Sequence, residues 1–138
     1  MKGYLFDTNI LIWYLSGDNR LKKAIIKHIE DPNIRKYISI ASAWEIAIKM
    51  SLGKFFIDGG AGEFWRKFTE GGFEGLPISI ETIEIVQNLP FHHKDPFDRI
   101  MIATAKEHGL EFITSDNELK KYFSKPLEVV EEAYRIKS

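Results

Sequence analysis

The sequence of 138 residues contains no cysteine. Disulfide bridges, thiolate metal sites and a cysteine nucleophile are therefore excluded, which leaves carboxylate, imidazole and hydroxyl groups for any chemistry. No segment is long, apolar and uncharged enough to cross a bilayer, and the first residues, MKGYLFDTN, lack the small-residue cleavage site of a secretory signal. We therefore expect a cytoplasmic protein.

The chain also lacks repeats, low-complexity segments and an excess of charge of either sign. Its formal net charge is -1 at pH 7, which argues neither for nor against a polyanionic partner, because a small protein can concentrate positive charge around one cleft. The length is typical of one domain. We expect residues 1–138 to form a single domain.

Short β-prone runs alternate with segments of helical spacing. The β-prone runs cover residues 2–6, 36–40, 76–79 and 111–114. Helices are predicted after Asp7, over 21–29, from about 42 to 53, around 64–68, over 81–87, over 96–108 and, in short form, over 117–122; residues 127–130 are a candidate for a last strand. This alternation predicts an α/β fold, in which helices cover both faces of a parallel sheet.

An aspartate stands inside the apolar stretch YLFDTNILIWYL. An ionised carboxylate among such residues is costly to bury unless a cation or hydrogen-bond donors meet it. Asp7 ends the first predicted strand, and Asp116 follows the strand EFIT. The carboxyl ends of parallel strands gather at one edge of a sheet, where ligands bind, so we expect these two acids to lie close together.

Helical geometry directs two further acids toward the same region. In the helix ASAWEIAIKMSL, Glu45 shares a narrow polar strip with Ser42 and Lys49, while apolar residues occupy most of the remaining circumference. In DPFDRIMIATAKEHG, Asp98 heads the stripe that continues through Met101. Glu45 is therefore expected to face a polar cleft or a thin window of solvent, and Asp98 to lean toward the sheet.

Each of these acids also has a simpler explanation. Asp7 and Asp116 could be helix caps. Glu45 could pair with Lys49 one turn later, and Asp98 could be a first-turn acid that answers the helix dipole. Four independent coincidences at one edge are nevertheless less plausible than one shared cause.

Electrostatics indicates what that cause is. Two carboxylates about 5 Å apart repel by roughly 3 kcal/mol at an effective dielectric constant of about 20. Such a cluster persists only if some carboxyl groups hold protons or if cations lie between them. Oxygen ligands without cysteine favour Mg²⁺ or Mn²⁺, which can activate water and stabilise the leaving oxygen of a phosphoryl group. The chemistry that fits is hydrolysis of phosphodiester bonds.

Three segments carry a resemblance to a known family: FDTNILIW, SAWEIAIKMSLGK and HHKDPFDRIMIATAKEHGLEFITSD. With the lengths between them, they resemble PIN-domain ribonucleases, and most of all the VapC toxins of type II toxin–antitoxin pairs. The resemblance covers essentially the whole chain. It implies a three-layer α/β/α PIN-like fold with a four- or five-stranded parallel sheet, Mg²⁺ or Mn²⁺ dependence, an RNA substrate, homodimers and inhibition by a VapB-type antitoxin encoded beside the toxin.

The family's functional residues can be carried over by position. The resemblance implies that four acids bind metal and carry the catalysis: Asp7, Glu45, Asp98 and Asp116. We expect the three aspartates to bind the principal metal directly or through water, and Glu45 to help bind it or to orient the attacking water. Thr114 matches the family's hydroxyl residue, and we expect three residues to hold carboxylates or water by hydrogen bonds: Thr8, Asn9 and Thr114.

Rival classes fit less well. A receiver-type phosphoacceptor module needs a pair of acids after the first strand and a lysine after the last, whereas this chain offers only Asp7 and the turn TSD. A haloacid-dehalogenase phosphatase would want aspartate where Asn9 stands. A PIN-fold nuclease of RNA processing without an antitoxin, and a non-catalytic module that binds Mg²⁺ or a partner, stay open as alternatives.

Two sets of residues keep two interpretations. Four aromatic residues could form a groove for a partner helix or fill the core: Trp13, Phe64, Trp65 and Phe68. His92 and His93 precede the helix of Asp98, where a contact with phosphate or with an acid is conceivable, although loop histidines hydrogen-bonded to the backbone are commoner.

Overall fold

The computed structural model describes residues 3–92, 94–122, 128–130 and 133–136. Its sheet contains four parallel strands, β1 (Gly3–Phe6), β2 (Arg35–Ser39), β3 (Phe73–Leu76) and β4 (Glu111–Thr114), in the order β3-β2-β1-β4. Two further strands, β5 (Glu128–Val130) and β6 (Ala133–Ile136), extend the β4 side, where β6 pairs antiparallel with β4 and β5 antiparallel with β6.

Among the described residues, six α-helices surround the sheet: α1 (Thr8–Ser16), α2 (Lys23–Glu30), α3 (Ile40–Ser51), α4 (Gly60–Thr69), α5 (Ile80–Asn88) and α6 (Pro96–His108). A 3₁₀ helix covers Asn117–Tyr122. No helix in the described ranges is long and apolar enough to span a membrane.

Neighbouring residues of each strand enter two different cores. Leu5 packs with residues of α6, whereas Phe6 packs with residues of α1, α2 and α4. Successive side chains of a strand point to opposite faces, so this division confirms the predicted three-layer α/β/α fold. Helix α3 reaches both cores, through Ala41 on one side and Ile46 on the other.

The third strand lies earlier than predicted. The prediction of a strand at 76–79 was wrong for its last three residues, because β3 pairs with β2 from Phe73 to Leu76. Ser79 instead begins α5: its hydroxyl accepts a hydrogen bond from the Thr82 amide at 3.2 Å, and the Thr82 hydroxyl accepts one from the Ser79 amide at 3.2 Å. This reciprocal cap satisfies two backbone donors at the helix start.

Gly75 explains why the sequence conceals this strand. Glycine weakens a strand prediction, yet Gly75 lies within β3. A Cβ atom at this position would lie 2.4 Å from Cζ2 of Trp65. The strand therefore contains glycine because the indole ring of α4 packs directly on its backbone.

Smaller differences concern the ends of elements. Helix α3 begins at Ile40 rather than near residue 42, because the Ser39 hydroxyl accepts a hydrogen bond from the Ala41 amide at 3.0 Å. The candidate last strand is present at 128–130, antiparallel to its neighbour, while residue 127 lies outside the described residues. Residue 2 of the first predicted strand also lies outside them.

The core interpretation is correct for two of the four aromatic residues. Phe64 and Phe68 are buried among the residues of the core beneath α1, α2 and α4. Trp13 and Trp65 are half-buried and pack against that core from its margin.

Candidate functional site: an acidic edge of the sheet

The structure places Asp7 at the carboxyl end of β1, buried, with 5% of its surface exposed. Its amide donates to the carbonyl oxygen of Ile113 at 2.9 Å, so its backbone continues the ladder between β1 and β4. Asp7 occupies the cap position of α1, but its side chain makes no cap hydrogen bond. One carboxylate oxygen instead accepts a hydrogen bond of 2.6 Å from the Thr114 hydroxyl.

Thr114 joins two of the predicted acids. Its hydroxyl donates to Asp7 and accepts a hydrogen bond from the Asp116 amide at 3.0 Å. Asp116 in turn accepts the Glu118 amide at 2.9 Å through its side chain. It therefore caps the 3₁₀ helix, and the capping interpretation holds for Asp116 but not for the side chain of Asp7.

A polar contact among three helices lies between Asp7 and Glu45. The hydroxyls of Thr8 and Ser42 lie 2.9 Å apart, and both lie 3.7 Å from the sulfur of Met101. Glu45 is one turn after Ser42 on α3. Its Oε1 is buried and has no hydrogen-bond partner in the part of the chain that the structure describes.

Asp98 lies in the first turn of α6. Asp95 caps this helix, with Oδ1 accepting the amides of Phe97 at 2.9 Å and Asp98 at 3.4 Å. The first turn is therefore fixed by a neighbouring acid, and Pro96 at its start lacks an amide that would need a partner.

Two of the three predicted supporting residues contact the side chains of the site region, and the third does not. Thr8 and Thr114 are buried and make the contacts described above. Asn9 is exposed, and its side chain makes no hydrogen bond with a described residue. His92 meets a neighbour through its backbone, since its amide donates to the Tyr122 hydroxyl at 3.0 Å; His93 lies outside the described residues.

We call the four predicted acids the acid edge: Asp7, Glu45, Asp98 and Asp116. Burial, followed by the charges of Asp98 and Glu45, raises the pKa of Asp7 to about 7, against a partial opposing effect of the Thr114 hydrogen bond. Burial also raises the pKa of Asp98 to about 7, together with the charges of Asp95, Glu45 and Asp116. Asp98 thus lies within electrostatic reach of each of the other three acids, and Asp7 also lies within reach of Glu45.

The pKa of Glu45 is raised as well. Burial raises its pKa, and Asp95 adds to the increase, while Thr8 and Lys49 oppose it. The predicted pairing of Glu45 with Lys49 is therefore a weaker influence on this carboxyl than its burial. Cations near such groups would favour their ionised forms.

The residues of the acid edge offer oxygen donors, the kind that Mg²⁺ and Mn²⁺ bind. No group of three or more acidic or imidazole side chains in the described ranges is spaced to hold a metal ion by itself. Mg²⁺ usually keeps several waters and is bound by one or two carboxylates. Asp7 and Asp98, whose pKa values are raised by burial and then by like charges, and the unpartnered Oε1 of Glu45 are the oxygen acceptors that fit such a cation.

Two residues of this region were not assigned to the site from the sequence. Ser42 contacts Thr8, and Asp95 adds negative charge next to Asp98. The signal for Ser42 was its place on the polar strip of Glu45. Asp95 caps α6, and a cap and a charge near the site give the same sequence pattern.

Comparison with known proteins adds independent information. A family model described as PIN domain matches residues 4–123. No curated protein sequence matches this chain.

Two solved structures resemble the chain over most of its length. A chain of the toxin–antitoxin complex from Klebsiella pneumoniae is 27% identical, with a TM-score of 0.60 over 88% of this chain and 91% of that chain. A chain of VapBC2 from Rickettsia felis is 13% identical, with a TM-score of 0.63 over 86% of this chain and 92% of that chain. That crystal structure shows VapBC2 bound to a DNA fragment from its promoter. At 13% identity the second likeness concerns the fold alone.

Proposed function

The chain belongs to the PIN domain family, and from this premise we propose that it is a metal-dependent endoribonuclease, the toxin of a VapBC-type toxin–antitoxin pair. The observation that carries the proposal is the acid edge, where the buried Asp7 and the half-buried Glu45 and Asp98 influence one another and Oε1 of Glu45 has no partner among the described residues. Structural carboxylates are normally paired. A group of this kind is costly unless its members hold protons or serve a cation.

Each residue has a proposed task. Asp7, Asp98 and Asp116 would hold Mg²⁺ or Mn²⁺ directly or through its waters. Such a cation would lower the pKa of a water molecule and stabilise negative charge on phosphate oxygens. Glu45 would help to hold the metal or would orient the attacking water.

Hydrogen bonds hold these carboxylates in place. The Thr114 hydroxyl fixes the rotation of the Asp7 carboxylate, and Thr8 joins α1 to α3 one turn before Glu45. Such contacts orient metal ligands and prevent them from turning toward other partners. Asn9, being exposed, is available to a water or to the RNA rather than to the carboxylates.

The partners form the second part of the proposal. An antitoxin is supported by the similarity to a toxin–antitoxin complex at 27% identity, and a gene for a small DNA-binding protein beside this one would add support. A homodimer is supported by exposed apolar residues that recur every four positions on α3 and its C-cap residue: Ile40, Trp44, Ile48 and Leu52. An exposed stripe of this kind is typical of an interaction surface. We also propose a cytoplasmic location. The family model matches residues 4–123, and we propose that the single PIN domain extends over residues 1–138.

The test is cleavage of RNA by the purified chain. Labelled RNA is incubated with the protein and Mn²⁺, with EDTA and a labelled DNA of the same sequence as comparisons. We expect internal cleavage of RNA that EDTA abolishes, and a loss of at least about 100-fold for Asp98→Asn, because removing a metal ligand should cost no less than removing a group that orients one.

The matched control is Asp58→Asn, which makes the same chemical change at an exposed loop residue. It should cleave like the unchanged chain. Full activity of a folded Asp98→Asn protein would contradict the assignment of the site. Cleavage that persists in EDTA would contradict the role of the metal.

A further inference from the structure

A buried arginine stands next to the acid edge and takes no part in the chemistry proposed above. Arg99 follows Asp98 on α6 and is only 9% exposed. Its guanidinium donates to the carbonyl oxygens of Val86 and Pro90, each at 3.2 Å. It also donates to the Tyr122 hydroxyl at 3.1 Å. Arginine's planar fork suits such fixed, divergent contacts better than the single ammonium of lysine does.

These contacts join three segments. We call the residues that take part the Arg99 cluster: Val86, Pro90, Phe91, His92, Arg99 and Tyr122. The guanidinium lies 4.8 Å from the centre of the Phe91 ring, and the His92 amide donates to the same Tyr122 hydroxyl at 3.0 Å. The cluster therefore fastens the end of α5 and the loop before α6 to the first turn of α6. It also fastens the 3₁₀ helix to that turn.

The 3₁₀ helix carries this connection to Asp116. The helix begins one residue after Asp116, whose carbonyl accepts the Leu119 amide at 3.2 Å and whose side chain accepts the Glu118 amide. Leu119 and Tyr122 are buried in the core. Asp116 thus lies at one end of a short, anchored element, and Arg99 holds the other end.

The connections form a path between three acids. Asp7 is joined to Asp116 through Thr114, the 3₁₀ helix leads from Asp116 to Tyr122, and Tyr122 is joined to Arg99, the neighbour of Asp98. The Tyr122 hydroxyl accepts hydrogen bonds from Arg99 and from the His92 amide, and it thereby links the 3₁₀ helix of Asp116 to the first turn of α6. Ligand geometry within fractions of an ångström decides metal affinity.

We infer that Arg99 and Tyr122 are positioning residues, which hold Asp116 and Asp98 at the separation that the metal requires. The inference rests on the proposed function for the identity of the metal site. It assigns these two residues no contact with metal or RNA. Their effect is expected on metal affinity rather than on the rate once metal is saturating.

The main variant is Tyr122→Phe, which removes one oxygen and keeps the ring in the core. We expect the dissociation constant for Mn²⁺, measured by titration calorimetry on the full chain, to rise about 3- to 10-fold, less than the 10- to 100-fold typical of groups that touch a ligand directly. The Mn²⁺ concentration that gives half-maximal RNA cleavage should rise by the same factor. The rate at saturating Mn²⁺ should stay within about twofold, since the ligands themselves remain.

Tyr14→Phe is the matched control. It also removes a tyrosine hydroxyl that makes a hydrogen bond, here to Glu30 at 2.8 Å between α1 and α2, away from the acid edge. It should leave Mn²⁺ affinity unchanged. A second variant, Arg99→Lys, keeps the charge and loses the fork, and it should weaken Mn²⁺ binding more than Tyr122→Phe does; if it fails to fold, Tyr122→Phe decides alone.

The outcomes separate this inference from the proposed function. Unchanged Mn²⁺ affinity in a folded Tyr122→Phe protein overturns the inference, as does an equal weakening in Tyr14→Phe, which would indicate a general effect of lost stability. An unchanged chain that binds Mn²⁺ and cleaves no RNA contradicts the proposed function, and weaker Mn²⁺ binding by Tyr122→Phe still supports the inference in that case.

Discussion

Two charged residues are buried at opposite ends of neighbouring strands, and their surroundings differ. Lys36, near the start of β2, is 6% exposed, and its ammonium donates to the carbonyl oxygens of Ile29 at 2.8 Å and Asp31 at 2.9 Å. Asp7, at the end of β1, is 5% exposed and lies among other acids. Both are similarly hidden from water. The contacts of Lys36 favour its charge, whereas the hydrogen bond from Thr114 to Asp7 is outweighed by burial and by the charges of other acids.

The pKa values express this difference. Burial lowers the pKa of Lys36, and the charge of Asp31 counteracts the decrease. Burial raises the pKa of Asp7, and the charges of Asp98 and Glu45 increase it further. Removing one partner of a buried, paired charge leaves the other group uncompensated and destabilises the fold, whereas a buried charge among like charges marks a candidate functional site.

Replacing Lys36 would give the largest effect on stability in this comparison. Lys36→Met keeps the aliphatic stem but leaves two carbonyl groups without their donor. We expect the free energy of unfolding to fall by about 2–4 kcal/mol, from the cost of buried unpaired groups, in urea unfolding followed by circular dichroism. Cleavage per folded molecule should not change.

Lys67→Met is the matched control, because Lys67 is exposed on α4. Its effect should stay within about 0.5 kcal/mol. An equally small loss of unfolding free energy in Lys36→Met would mean that the contacts of Lys36 with the two carbonyl groups do not stabilise the fold.

Replacing Asp7 should act in the opposite direction. The folded chain without metal keeps protons on Asp7 and Asp98 up to a pH of about 7, whereas the unfolded chain releases them near the ordinary value of 3.8. Between these pH values the folded state binds more protons, so the free energy of unfolding falls as the pH rises. Asp7→Asn should therefore add about 1–2 kcal/mol of stability at pH 8 and nothing at pH 4, while abolishing cleavage.

The measurement is urea unfolding in EDTA at both pH values. Asp58→Asn again serves as the control and should change neither result. Destabilisation of Asp7→Asn at pH 8 would mean that Thr114 and the surrounding amides already compensate the charge of Asp7.

Metal addition should give the smallest effect. At ten times its dissociation constant, Mn²⁺ should stabilise the folded chain by about 1.4 kcal/mol at pH 8. The gain should nearly vanish at pH 5, because the carboxyls must lose protons to bind metal. Mn²⁺ should raise the free energy of unfolding of Lys36→Met by the same amount as that of the unchanged chain. A different gain would mean that metal binding at Asp7 is energetically coupled to the contacts of Lys36.

The order of β-prone and helical segments in the sequence was sufficient to predict the three layers of the fold. The alternation of β-prone runs with helical segments predicted a parallel sheet with helices on both faces. It failed at β3, where Gly75 accommodates Trp65 and the apolar residues after Leu76 serve the start of α5. Packing between distant residues overrode the local preference there.

The candidate residues of the site could be named from the sequence, but their contacts could not. Strand ends and helix faces directed Asp7, Glu45, Asp98 and Asp116 to one edge, and the pKa causes reflect their proximity. The cluster around Arg99 could not be foreseen, because Arg99 and Tyr122 are separated by 23 positions and a single sequence contains no signal for their pairing. Similarly, Asp7 looked like a cap, since local pattern does not reveal that Thr114 binds its side chain.

The hydrogen bond from the Asp7 amide to Ile113 has a consequence for protection against hydrogen exchange. Amides in the central ladder of a sheet exchange with solvent only when much of the structure opens, whereas amides of loops and helix ends exchange through small local fluctuations. The backbone of Asp7 belongs to the first class although its carboxylate is at the edge. The acid therefore cannot leave its place by local fraying, and its position persists for as long as the β1–β4 pair itself stays folded.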